Sequence, residues 1–341
     1  MERPEFLARS FLYYSRAGFD GVICVGDSSG SENRRKNADV AARFSKSLNI
    51  KLTHYPNPPY LHDGMVVKEL LDTVTTKYAV FSGDDDFIIP SSLARCADFL
   101  DRHSDYGGAQ GARVEIFVEN DSLYGKIEGS RYIYPPAIDD GCPLTRWKNY
   151  IKSGISIQYS LQRTENLRKA YSSVPAVPCR YLGPELLPCG ILAVEGKIKN
   201  MDSLHVIFHR KHGKINQQNN IYDVVASPEW AASAAAAKKA VCDALSGAGF
   251  HSMPPERVST VYDGLFRRFL RLRFWWESDS IFSGKTLKRA RPLFKFIRNA
   301  VQPRELRAAG GRFTLKSLLS QSSPYHADFL PVHELLKNGP A

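Results

Sequence analysis

Tyr78-Ala79-Val80-Phe81-Ser82-Gly83-Asp84-Asp85-Asp86-Phe87-Ile88-Ile89-Pro90 is the stretch from which the fold is read. An apolar run of strand length ends in three adjacent carboxylates, and the text turns apolar again before Pro90 and a helix-like segment. Three neighbouring carboxylates repel one another at neutral pH. The arrangement suits a strand end in a cleft, where a divalent cation or several hydrogen-bond donors neutralise it. A solvated acidic turn is the plain alternative for Asp-Asp-Asp taken alone.

Upstream, Gly21-Val22-Ile23-Cys24-Val25 reads as a buried strand delivering Gly26-Asp27-Ser28-Ser29-Gly30 into a turn. Asp27 repeats the setting of the triple aspartate, a carboxylate just past an apolar strand; an Asx-turn residue capping the next helix is the competing reading. Residues 31 to 48 form a polar helix with Arg34, Arg35 and Lys36 near its start, where basic charge opposes the helix dipole unless an anion docks. Residues 49 to 54 alternate as a strand, and Gly64 to Thr76 carries Met65, Val66, Leu70, Leu71 and Val74 at helical spacing. Residues 21 to 90 therefore run strand, helix, strand, helix, strand, the order of parallel strands joined by right-handed crossovers. Ligands of such sheets bind outside the carboxyl ends of the strands, the edge to which Asp27 and Asp84 to Asp86 belong. A helix over residues 5 to 17 precedes this unit, with Phe6, Leu7, Phe11 and Leu12 along one side.

Downstream, Ser91-Ser92 caps a helix to about Arg102, residues 112 to 134 alternate as strands, and Tyr134 to Trp147 is a long loop carrying Asp139 and Asp140. Residues 158 to 163 read as a strand leading into a helix at Thr164. Pro184 suits a first helical position, which puts Glu185 in a first turn, where dipole compensation and catalysis are both open readings. His205 and His209 flank Val206-Ile207-Phe208, a strand pattern that argues against a helical two-histidine site.

With 341 residues, ordinary apolar and charged fractions and no apolar run long enough to span a bilayer, the chain is expected to be a cytoplasmic globular protein. Six scattered cysteines lack zinc-site spacing and read as reduced thiols. The net charge of +11 belongs to the tail: residues 251 to 341 hold 16 Lys and Arg against 7 Asp and Glu. There, Phe266, Phe269, Leu270, Phe274 and Trp275 alternate with Arg267, Arg268, Arg271 and Arg273, and a second helical pattern covers Thr286 to Ala300. An ordinary basic helical surface explains this pattern, and so does peripheral attachment to the inner, anionic face of a membrane. No nucleic-acid motif is present, so no nucleic acid is expected as a partner. Met253-Pro254-Pro255 marks the best boundary. The expected organisation is an α/β domain over 1–225, an alanine-rich helix and linker over 226–255, and a basic helical region over 256–341. Ser283-Gly284-Lys285-Thr286 is no Walker A loop, because Asp279 stands where its first glycine belongs, and Ile89 and Arg95 rule out an EF-hand beginning at Asp84.

Arg3-Pro4-Glu5-Phe6-Leu7, Ile23-Cys24-Val25-Gly26-Asp27-Ser28 and Gly83-Asp84-Asp85-Asp86-Phe87-Ile88-Ile89-Pro90 together resemble the family 2-like glycosyltransferases of the GT-A fold, over roughly residues 3 to 215. The resemblance implies a mostly parallel α/β sheet flanked by helices, a nucleotide-sugar donor such as a UDP-sugar, a saccharide or lipid-linked acceptor of cell-surface polysaccharide or glycolipid synthesis, and inversion of the anomeric centre. It implies that Asp27 holds the nucleoside, that Asp84 contacts the ribose or sugar, and that Asp85 or Asp86 binds Mg²⁺ or Mn²⁺ bridging the diphosphate. Arg34 or Arg35 would assist the phosphates, and His212 or His209 would complete the metal shell. Glu185 is the implied general base, with Asp139 and Asp140 as runners-up. Members of that family carry a central strand immediately before Arg-Pro-Glu. Here Met1 stands almost against Arg3, so the resemblance lacks its first strand. Two readings from other classes stay open: a non-catalytic basic adaptor for anionic membrane or nucleic acid, and a nucleotidyltransferase.

Overall fold

The structure, a computed structural model, describes residues 2–56, 62–210, 220–281 and 311–340, with side chains omitted from 275 to 281. The helix expected over Thr286 to Ala300, and His212, lie outside the described residues.

Helix α1 (Pro4–Arg16) opens on a proline, which has no N–H to lose at that position, with Glu5 in its first turn and Arg16 in its last, both matched to the dipole. It buries Phe6, Leu7, Phe11 and Tyr14, together with the polar Arg9 and Ser10. Strand β1 (Val22–Asp27), helix α2 (Ser31–Phe44), strand β2 (Asn49–His54) and helix α3 (Asp63–Thr73) follow. β1 and β2 pair in parallel from Val22↔Asn49 to Asp27↔His54, as the strand-helix-strand order requires.

The third strand departs from expectation. β3 (Tyr78–Ala79) does not join β1 but pairs antiparallel with β7 (Leu161–Arg163), so β1 and β2 form a sheet of their own. β1 is half-buried along most of its length rather than buried, because among the described residues only one of its edges carries a neighbouring strand. The larger sheet has the order β3-β7-β5-β8-β4, and β6 (Ile127–Ile133) pairs with β5. Its long central strands, β5 (Tyr106–Val118) and β8 (Lys197–Arg210), run parallel; the short β4 (Phe87–Ile88) and β7 join antiparallel. The whole is a mixed α/β fold with a divided sheet between helices.

Helix α4 (Pro90–Arg102) starts on the proline that closes the acidic stretch. Helices α5 (Pro143–Ser153), α6 (Thr164–Ser172), α7 (Leu187–Glu195), α8 (Ile221–Ala226), α9 (Trp230–Gly247) and α10 (Pro255–Ile281) pack on one side. Ala237, Ala240 and Val241 of α9 and Tyr262, Phe266 and Phe269 of α10 share one core cluster with α5, α6 and α7. Trp147 stacks on Tyr262 at 5.0 Å between ring centres. The prolines before α10 therefore turn the chain back onto the same core. A second cluster joins α1 and β5 to α11 (His326–Asn338).

Candidate active site

A cavity of about 2180 Å³ opens between β1, β3, α1 and α3, and Asp27, Asp84 and Glu185 all line it. Asp27, the last residue of β1, is 2% exposed. Its Oδ1 accepts the Ser29 N–H at 3.0 Å, the Asx turn anticipated from sequence, and its Oδ2 lies 3.1 Å from His54 Nδ1 on β2. Burial pushes the carboxyl up, but hydrogen bonds from Ser29, Asn37 and His54 outweigh it, and the group stays ionised below the usual carboxylate range.

The triple-aspartate turn divides its side chains. Asp84 lines the cavity, Asp85 is partly exposed beside it, and Asp86 is buried in the body of the protein. Arg3 reaches across from α1's N-terminus: its Nη2 donates to Asp84 Oδ1, its Nε to Asp84 Oδ2 at 3.2 Å, and its Nη1 to Asp85 Oδ2 at 2.9 Å. Two further α1 side chains hold the backbone of the turn. Ser10 Oγ donates to the Asp84 carbonyl at 2.7 Å and Arg9 Nη2 to the Asp85 carbonyl at 2.9 Å. Burial lowers the Arg9 guanidinium to about 10 against the opposing pull of the nearby Asp85 charge. Asp86 is 3% exposed and accepts the Tyr159 hydroxyl at 2.6 Å through Oδ2. Burial first, and the Asp85 charge second, push its carboxyl up to about 7; Asp84 is raised for the same two reasons, with Arg3 opposing.

The acidic turn suits a hard cation in its donor chemistry. A Cβ on Gly83 would come 2.8 Å from Asp86 Oδ2 and 3.1 Å from Asp85 Oδ1, so the two carboxylates converge over that glycine. Asp86 Oδ1 is buried and has no hydrogen-bond partner. Oxygen donors under mutual repulsion are what Mg²⁺ or Mn²⁺ takes. Among the described residues no cluster of three or more His, Cys, Asp or Glu is assembled as a ready metal cage. His209 Nδ1 lies 2.8 Å from Arg9 Nη1, and its ring stacks near Phe6.

Glu185 is exposed and lies in a short π-helical turn, Leu182–Leu186, ahead of α7. The helical start expected at Pro184 is instead made by the pair Leu187-Pro188, and the preceding wide turn aims Glu185 at the cavity. Arg113, Tyr159 and Arg210 line the same cavity. Arg210 pairs with Glu115 at 3.0 Å and with Asp86 through space, so cationic charge faces the acidic turn from β8. Arg113 is fully buried, and its Nη groups donate to the Ser156 carbonyl and Gln110 Oε1.

Arg34 does not line the cavity; it donates to the Tyr55 carbonyl and ties α2 to the loop after β2. Asp139 and Asp140 also lie away from it. Asp140 Oδ1 accepts the Cys142 N–H at 2.7 Å where α5 begins, a local turn role. The sequence reading did not single out Arg3, Arg9, Ser10, Tyr159 and Arg210 as site residues. The signal for two of them was present, since Arg9 and Ser10 interrupt the apolar face of α1 beside Phe6 and Phe11.

No protein-family model and no curated protein matches the chain. Among solved structures it is similar to Staphylococcus aureus TarS residues 1–349, with a TM-score of 0.47 and 14% identity over 86% of this chain and 75% of that one. It is also similar to a longer S. aureus TarS structure, with a TM-score of 0.47 and 13% identity over 98% of this chain and 52% of that chain, about half its length.

Proposed function

We propose that the protein is a glycosyltransferase that moves a sugar from a nucleotide-sugar donor to an acceptor hydroxyl. The observation that carries this reading is the convergence of the two strand-end carboxylates, Asp27 and Asp84, with Glu185 on a single cavity. In this reading Asp27, held ionised and oriented by Ser29 and His54, accepts an N–H of the nucleobase. Asp84 accepts hydroxyls of the ribose or sugar. Asp85 and Asp86 would hold Mg²⁺ or Mn²⁺, which would supply Lewis-acid stabilisation of the charge on the departing diphosphate. Arg210 adds positive charge from β8. Glu185, exposed at the cavity wall, takes the proton of the attacking hydroxyl as general base, and a single displacement inverts the anomeric centre.

The acceptor we favour is a saccharide or lipid-linked precursor of cell-surface polysaccharide or glycolipid. Arg267, Arg268 and Arg271 of α10 are exposed beside Leu272, a surface suited to peripheral contact with anionic lipid at the cytoplasmic face. Among the described residues no helix is long and apolar enough to cross a membrane. Incubating the protein with a panel of nucleotide sugars, with Mn²⁺ or with a chelator, tests the reading. Metal-dependent release of nucleoside diphosphate is expected. Failure to bind any nucleoside diphosphate with metal present favours the basic-adaptor alternative.

A further inference from the structure

Arg113 is a buried cation with no part in the proposed transfer. It lies on β5, is 1% exposed and lines the cavity. Its Nη groups donate to the Ser156 carbonyl and Gln110 Oε1, its Nε has no partner, and no carboxylate pairs with it among the described residues. Burial lowers its guanidinium to about 10. Arg146, buried away from the cavity, is different: the carbonyl oxygens of Asp140, Gly141, Ala193 and Val194 take its N–H groups. A guanidinium withdrawn from water with neither a counter-ion nor a full set of acceptors is costly to fold around unless an anion meets its field.

The strands beside it add two guanidiniums and one carboxylate. Arg113 and Glu115, two apart on β5, share a face; in the register of the sheet Glu115 lies opposite Arg131 of β6 and Phe208 of β8, and Arg210 follows Phe208 by two. All five line the cavity. Glu115 is buried with both oxygens engaged: Oε2 accepts Arg131 Nε and Nη2, and Oε1 accepts Arg210 Nε at 3.0 Å. One carboxylate thus fixes two guanidiniums on either side of it, while the Arg131 and Arg210 side chains stay 67% and 44% exposed. The Phe208 ring supports the Arg210 guanidinium at 4.6 Å from its centre. Asp86, whose charge Arg210 also feels, is already held by the Tyr159 hydroxyl. Three guanidiniums against one carboxylate leave this wall of the cavity positive.

We infer that the acceptor carries an anionic group, a phosphate or a carboxylate, which Arg131 and Arg210 bind at this wall and which supplies the counter-charge of Arg113. Planar guanidiniums suit either group, because their paired N–H groups match two oxygens of one anion. The side of the cavity assigns the anion to the acceptor. Asp27, the nucleobase residue of the proposed donor site, ends β1 in the other sheet. Glu185, the proposed base that meets the attacking hydroxyl, is near enough to Arg113 for their charges to interact. That assignment rests on the glycosyltransferase reading, whereas the anion site itself rests on the three arginines and Glu115 alone.

Calorimetry at low ionic strength on the 341-residue protein, with glucose 6-phosphate, glucuronate and glucose as probes, tests the site without turnover. Both anions are expected to bind and glucose is not, and the tighter anion names the group. Arg131→Gln, at an exposed position, is expected to weaken the anions by about tenfold or more, the worth of one charge-assisted contact, and Arg131→Lys to restore part of the loss. Anions that bind no better than glucose, or equally well to Arg131→Gln, would overturn the inference. So would displacement of the bound anion by UDP with Mn²⁺, which would give the arginines to the donor. Arg131-dependent anion binding in a protein that consumes no nucleotide sugar would keep the anion site and remove the glycosyltransferase reading. Turnover with glucose as readily as with either anion would keep that reading and remove the inference.

Discussion

The Tyr159 hydroxyl donates to Asp86 Oδ2 at 2.6 Å, tying the last of three consecutive aspartates to a residue just before β7, 73 positions later. This bond holds Asp86 inward while Asp84 lines the cavity. Asp86 is buried beside like charges, and the Tyr159 O–H favours its ionised form, opposing the rise that burial and the Asp85 charge impose.

Replacing Tyr159 by Phe leaves Asp86 Oδ2 without that donor. We expect a loss of about 1–3 kcal/mol in stability, the cost of an unsatisfied buried polar group, read as a lower urea midpoint at unchanged slope. An unaltered midpoint would mean that water takes over the position.

Glu185→Gln keeps the shape of the side chain and removes the base. Turnover of the nucleotide sugar is expected to fall by about 10²–10⁴-fold, with metal-dependent nucleotide affinity retained in calorimetry. Loss of nucleotide binding instead would put Glu185 at the donor rather than the acceptor.

Gly83→Ala places a methyl group 2.8 Å from Asp86 Oδ2 and 3.1 Å from Asp85 Oδ1. The carboxylates must part to admit it. Mn²⁺-dependent nucleotide affinity should drop by roughly tenfold or more while far-UV circular dichroism is preserved, because a metal site tolerates little misplacement of its ligands. Wild-type affinity in this variant would remove the acidic turn from the site.

His205 supplies the pH dependence. It is fully buried on β8, with Nδ1 2.8 Å from Ser92 Oγ and Nε2 2.9 Å from the Tyr159 carbonyl. Burial, and then the Arg113 charge, depress it to about 3 from an unfolded value of 6.5. Below pH 6.5 the unfolded chain therefore binds a proton that the native state refuses, so stability is present above that pH and is lost progressively as pH falls toward 3. In His205→Gln this part of the acid sensitivity should disappear from denaturation midpoints taken between pH 7 and 4. A slope identical to wild type would assign it to other groups.

The order of elements through residue 90 was legible because it rests on local patterns: apolar runs of strand length, helical spacing in residues 64–73, and glycine or proline at the joints. Asp27 and the triple aspartate were legible as strand-end carboxylates for the same reason. The sequence could not place Arg34, because charge near a helix start says nothing about where the guanidinium lies, and Arg34 donates to the Tyr55 carbonyl after β2.

By itself, then, the sequence determined the parallel pairing of β1 with β2, the acidic turns after β1 and β3 and the amphipathic helices around them. All of these follow from the chemistry of neighbours within a few residues. The tertiary structure alone decided which carboxylate meets the cavity. That choice depends on Arg3, Arg9 and Ser10, which lie 74 to 82 positions away from the partners they hold in the turn, and on Tyr159 from the far side. It also decided that β3 turns away from β1 to pair with β7. Backbone hydrogen bonding is indifferent to side-chain pattern, so which strand completes an edge is settled only when the chain is packed.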